Sequence, residues 1–167
     1  MRKTLLVTFF AAAAAFGQSP VIADAKSYWT MVKGNLVKSA EKMPEENYSF
    51  KPTPEVRSFG ELVGHVANAS YFFCSRVNSE KPPQVNIEKT VTDKAGLVKA
   101  LSESAAYCDA AFAALNDTNM VETTKMMGRD MTKLGLLNFQ NAHSMEHYGN
   151  MVTYLRMKGL VPPSSEK

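Results

Sequence analysis

Four long stretches of this chain repeat their apolar residues every three or four positions, and prolines or turn residues separate each stretch from the next. That period builds helices with one apolar face, and such faces must be buried against one another. No stretch of useful length alternates apolar and polar residues as a half-buried strand would. The expected fold class is therefore all-α, a four-helix bundle.

In the first stretch Val21, Ala25, Tyr28, Trp29, Val32, Leu36 and Ala40 mark a helix that ends before Pro44. The link from Met43 to Pro54 carries three prolines and cannot be helical, and Tyr48 and Phe50 should tuck it onto the core. Ser58-Phe59-Gly60-Glu61 reads as a capping box, so a second helix starts there and runs to about Asn78 before Lys81-Pro82-Pro83. A long polar connection, Lys81 to about Thr90, joins helices two and three, so strict up-down order is not implied. The third helix spans about Thr92 to Leu115, and Asn116-Asp117-Thr118-Asn119 is a turn. Met120 to Asp130 has too little pattern to assign. The fourth helix begins near Asp130 or Thr132 and closes at Gly159, ahead of Pro162-Pro163.

Residues 1–17 have the layout of a secretory signal peptide: Arg2 and Lys3, an apolar run from Leu5 to Phe16, and small residues at Ala15 and Gly17. The run falls short of the roughly 20 residues that span a bilayer, so no stable membrane insertion is expected once the leader is removed. The expected destination is export, periplasmic or secreted, with residues 18–167 forming one domain. Arg2 and Lys3 leave with the leader, so 19 basic side chains become 17 against 16 acidic ones. No Lys/Arg cluster remains to neutralise a run of phosphates, which argues against nucleic acid as a partner.

His143 and His147 stand four apart in the last helix, within about 40° of each other on one face, where two imidazoles can share a metal ion. The chain has one further histidine, His65 in the second helix. If the two helices pack together, His65, His143 and His147 make a three-nitrogen site with a coordination position left for water or substrate. Imidazole donors suit Zn²⁺ or Ni²⁺ better than Mg²⁺ or Ca²⁺. Ligating imidazoles must be neutral, so affinity should fall below about pH 6.5. His143-Ser144-Met145-Glu146-His147 also reads as the H-x-x-E-H protease pattern, but that needs a downstream carboxylate ligand and only Glu166 is left to supply it. Glu146 lies to the side of His143, where it either flanks the metal as a catalytic proton acceptor or is an exposed helix residue. Glu61 is a second candidate acceptor.

Tyr48 through Ala67, with Ser58-Phe59-Gly60-Glu61 and His65 inside it, resembles the entry to helix two of the DinB-like superfamily. His143 through Gly159, followed by Val161-Pro162-Pro163, resembles that family's last helix. The resemblance covers essentially all of the mature chain. It implies a four-helix bundle holding a divalent metal on His65, His143 and His147, among relatives that include thiol-cofactor-dependent transferases and isomerases and metal-dependent hydrolases. Where the family has a glutamine three residues after the last histidine, this chain has Asn150. The family name does not imply DNA binding.

Two functional classes follow. One is an exported metal-dependent hydrolase or thiol transferase acting on a small molecule, with export favouring hydrolysis. The other is a non-catalytic metal-binding bundle that acts through a protein partner or as a homodimer. Cys74 faces away from the ligand side, and Cys74 and Cys108 are either a disulfide formed in an oxidising compartment or two buried thiols. The methionines read mostly as core filler, with Met151 the one placed to line the pocket, and Tyr148 and Tyr154 read as packing residues with wet hydroxyls.

Overall fold

A computed structural model describes residues 19–166; the expected signal peptide, residues 1–17, lies outside the described residues. Five helices and one hairpin follow in order: α1 Pro20–Lys42, α2 Phe59–Val77, α3 Ile87–Thr90, α4 Lys94–Ala114, β1 Thr123–Met126, β2 Arg129–Thr132 and α5 Lys133–Met157. The four long helices form the expected bundle. α1 and α2 each pack on both α4 and α5, so α1 and α2 face each other across the core as diagonal members. No helix among the described residues is long and apolar enough to cross a membrane.

The helix starts follow local hydrogen bonding. Ser58 Oγ accepts from the Glu61 amide while the Ser58 amide donates to Glu61 Oε2 at 2.7 Å, which is the full capping box. Asp93 and Thr132 cap α4 and α5 through the amides of Gly96 and Gly135. Along α1, Ile22, Ala25, Trp29, Val32, Leu36 and Ala40 are buried, whereas Val21 and Tyr28 are exposed. The apolar stripe is thus Ile22-based, one step off the phase that Val21 and Tyr28 suggested. Trp29 stacks on Phe112 of α4 at 5.2 Å, and its indole N–H donates to Asp109 at 2.7 Å, so its polar edge is satisfied. Cys74 and Cys108 form a disulfide that ties α2 to α4 with a Cα–Cα separation of 5.3 Å.

Two segments depart from the sequence expectations. The stretch that lacked pattern is an antiparallel hairpin, Thr123 pairing with Thr132 and Met126 with Arg129. Its strands are four residues each, and only Met126 of β1 and none of β2 is buried, so it has no apolar alternation to read. The polar connection before α4 contains α3, whose Ile87 is buried and whose amide donates to Asn68 Oδ1 on α2 at 3.0 Å. α3 comes this close because α2 has a glycine beneath it: a Cβ on Gly64 would stand 2.7 Å from Glu88 Cα.

Gly64→Ala is therefore expected to push α3 off α2 and destabilise the fold by about 1–3 kcal/mol, read as a lower urea midpoint. An unchanged midpoint would show that α3 does not need this contact.

Candidate metal centre

The packing of α2 against α5 sets His65 opposite His143 and His147. His143 Nε2 and His147 Nε2 are 3.1 Å apart, and one ligand nitrogen from each of the three rings lies within 4.8 Å of the others. Two nitrogens each about 2.1 Å from one ion stand roughly 3.0–3.4 Å apart, so the α5 pair has a chelating separation. Ring centroids of the three imidazoles lie between 4.3 and 5.3 Å from one another. The residues thus fit a divalent cation, and the cluster could hold one.

Contacts at the outer nitrogens help orient two of the three rings, those of His65 and His147. His65 Nδ1 is 3.2 Å from Glu88 Oε2, which fixes Nε2 as the free ligand atom. Glu88 in turn accepts from Arg57 Nε at 3.0 Å. Burial pushes the Glu88 carboxyl up, but hydrogen bonding and charge from Arg57, joined by His65, outweigh that and hold it below the usual carboxylate range. It therefore stays anionic beside His65. The Asn150 side-chain amide lies 3.4 Å from His147 Nδ1, so this asparagine backs the outer edge of that ring. His143 packs its ring against Phe73 and leaves its buried Nδ1 without a hydrogen-bond partner among the described residues.

Burial, then the neighbouring His65, lowers the His143 pKa to about 4. Burial, then His143 and His65, does the same for His147, also to about 4. Both rings are neutral at pH 7 with lone pairs available to a metal. The folded chain keeps them neutral well below pH 6.5, so the pair would stay able to bind a metal at lower pH than free imidazoles.

Of the other sequence candidates, Glu146 is exposed on the rim of a polar cavity of about 720 Å³ that His147 and Arg57 also line. Glu61 also lines it, but the Ser58 amide and then Lys51 hold its carboxyl down to about 2, so it is a cap and a poor proton acceptor. Glu166 pairs with Lys42 on α1, which removes the downstream carboxylate from the protease reading. Met151 is fully buried in the core; the methionine that lines a cavity with two of the histidines is Met127. The hydroxyls of Tyr148 and Tyr154 have partners within the protein: they donate to Ser164 Oγ and to the Arg57 carbonyl, each at 2.6 Å. Sequence reasoning missed Glu88 because it lies in the polar connection, 23 residues from His65. The one available signal was the interior Gly64 beside His65, a mark of close backbone approach.

Two outcomes are expected. A His whose folded pKa is depressed takes protons more readily in the unfolded chain, so metal-free protein should lose stability as pH falls from about 6.5 toward 4. Thermal melts of chelator-treated protein across that window check this, and a flat melting temperature would refute neutral burial of the pair. Glu88→Ala should weaken zinc binding about 10- to 100-fold in a chelator competition while the protein stays folded.

Comparison with known proteins agrees with this architecture. Residues 28–151 match the family model of the DinB superfamily. An uncharacterized protein of Bacillus subtilis strain 168, YjoA, is 30% identical over 122 residues, covering 72% of this chain and 79% of that protein. A DinB-like crystal structure from Bacillus cereus ATCC 10987 superposes with a TM-score of 0.75 at 18% identity, over 85% of this chain and 95% of the other. The crystal structure of B. subtilis YjoA, a DinB-like protein, gives 0.68 at 25% identity over 81% and 92% of the two chains. At 18% identity the B. cereus likeness is one of fold alone, while the family match rests on the sequence across most of the bundle. This chain belongs to the DinB superfamily.

Proposed function

We propose that this protein is an exported, divalent-metal-dependent hydrolase of a small carbonyl compound, an ester, amide or thioester, with zinc or nickel on His65, His143 and His147. The observation that carries the reading is the convergence of three imidazole nitrogens, two of them 3.1 Å apart, beside a polar cavity. A divalent ion held there supplies Lewis acidity and brings a water's pKa toward about 7.

The surrounding residues divide the remaining work. Glu146 stands on the rim of the cavity and forms no ion pair with Lys or Arg among the described residues, so its carboxylate is free to take the proton of the attacking water. It then returns that proton to the leaving group as the carbon–heteroatom bond breaks. Arg57 is anchored through Nε to Glu88 and lines the cavity beside His147, where its cation faces negative charge developing on the carbonyl oxygen. Glu88 keeps the His65 ring oriented.

Export is supported by the leader-like residues 1–17 and by the Cys74–Cys108 bridge, because disulfides persist in oxidising compartments. Transfer to a thiol cofactor fits the same residues, but a reduced thiol is scarce there. The near-neutral mature chain favours a small-molecule substrate over nucleic acid.

Protein purified without a histidine tag should carry close to one zinc or nickel per chain, and His147→Ala should lose it. Glu146→Gln should keep the metal and lower kcat about 10²- to 10⁴-fold on a responsive substrate from an ester, amide and thioester panel. A fully loaded wild type with no turnover across the panel would instead favour a metal-binding protein without catalysis.

A further inference from the structure

A second cavity, about 790 Å³, lies on the other side of the histidine cluster and is lined by His65 and His143 rather than His147. Its volume is that of a small-molecule site. Its remaining wall is chiefly apolar, with Phe72, Phe73 and Phe139 joined by Val85 and Met127. Three of these are exposed apolar residues from three separate elements: Val85 before α3, Met127 in the hairpin and Phe139 on α5, at 47%, 81% and 42%. Large exposed side chains scattered singly need no explanation, but three converging on one cavity that opens on two metal-ligand rings do.

Met127 adds an independent observation. The β1–β2 connection is the two-residue turn Met127-Gly128, with φ of 48° and 79°. Positive φ at both positions is what a type I′ hairpin turn requires, and asparagine, aspartate or glycine normally fills the first. Methionine is strained there. Being so exposed, it contributes little to the core in return. Strain kept at an exposed position points to a task outside folding. An unbranched, polarisable thioether is suited to packing against an apolar ligand of irregular shape.

We infer that the aromatic cavity receives an apolar, aryl-alkyl-sized acyl group, and that Met127 and Phe139 are the residues that select it. The inference rests on the metal-dependent reading above and names its substrate class: amphipathic carbonyl compounds, with the reacting group at the three histidines and the apolar group among the phenylalanines. The polar cavity around Arg57 and Glu146 takes the hydrophilic remainder. A small molecule is the occupant chosen, over a second protein copy, because the cavity wall includes the ligand rings themselves.

The test titrates two metal-binding probes, acetohydroxamic acid and 4-phenylbutanohydroxamic acid, into the zinc-loaded full chain. The phenyl compound should bind at least about tenfold more tightly. Phe139→Ala and Met127→Asn should each shrink that ratio to within about threefold while acetohydroxamic acid binds as before. Met127→Asn should also raise the melting temperature, since asparagine suits the turn, which separates lost selectivity from lost folding. A wild-type ratio near one, or a ratio that both variants leave intact, overturns the inference. So does a ratio near one together with a dimer that Phe139→Ala converts to monomer on gel filtration, which would assign the face to self-association. If neither zinc nor acetohydroxamic acid binds, the metal reading fails by itself. The cavity is then judged by saturation-transfer NMR of 4-phenylbutanol with metal-free protein: binding lost in both variants upholds it, and no binding overturns it.

Discussion

The packing of α2 on α5 is the constraint on which the site depends. Neither helix alone carries three nitrogen donors, and the α5 pair at 3.1 Å becomes a three-donor cluster only when His65 is held opposite it. Gly64, next to His65, admits α3 against α2, and α3 delivers Glu88 to His65 Nδ1. One missing Cβ thus links backbone packing to the orientation of the His65 ring. Arg57, in the approach to α2, holds the other carboxylate oxygen of Glu88, and its carbonyl accepts the Tyr154 hydroxyl of α5. The two histidine-bearing helices are therefore joined through the same residue that orients the site.

The polar groups buried between these helices are held with more cost than a purely apolar core would carry. Gln140 is fully buried and donates to Ser70 of α2 and Ser144 of α5, while its Oε1 has no partner among the described residues. Asn141 donates to the Ala25 carbonyl of α1 and likewise leaves Oδ1 unpartnered. Each unsatisfied buried atom costs about 1–3 kcal/mol. Two of the bonds that are made, to Ser70 and to the Ala25 carbonyl, run from α5 to α2 and to α1, and such directional contacts fix the axial position of α5, and hence of its histidines, more sharply than sliding apolar surfaces do. The disulfide adds a covalent tie between α2 and α4 on the side of α2 away from the cluster.

Much of this was legible in the residues because it is local. The capping box at Ser58 and Glu61, the proline-rich links, the C′ position of Gly159 with φ of 73° and the i, i+4 histidines all depend on neighbours within one or two turns. The phase of α1 was misread at Val21 and Tyr28 because two apolar residues beside the true stripe are as hydrophobic as those within it. The hairpin escaped notice because its turn is Met127-Gly128 rather than Asn-Gly and its strands bury little. Glu88 and Met127 had no local sign of lying near the histidines, since each meets them from a distant part of the chain.

By itself the sequence determined the helical class, the helix boundaries within a few residues and the three imidazoles able to share an ion, because periodicity, capping and chelate spacing are written over short range. Only the tertiary structure decided which carboxylate stands behind His65, that Glu61 is tied up as a cap, that Cys74 meets Cys108, and that an aromatic cavity adjoins the cluster. Those features arise where distant segments are pressed together. Their partners are chosen by the packing of whole helices, which no local pattern encodes.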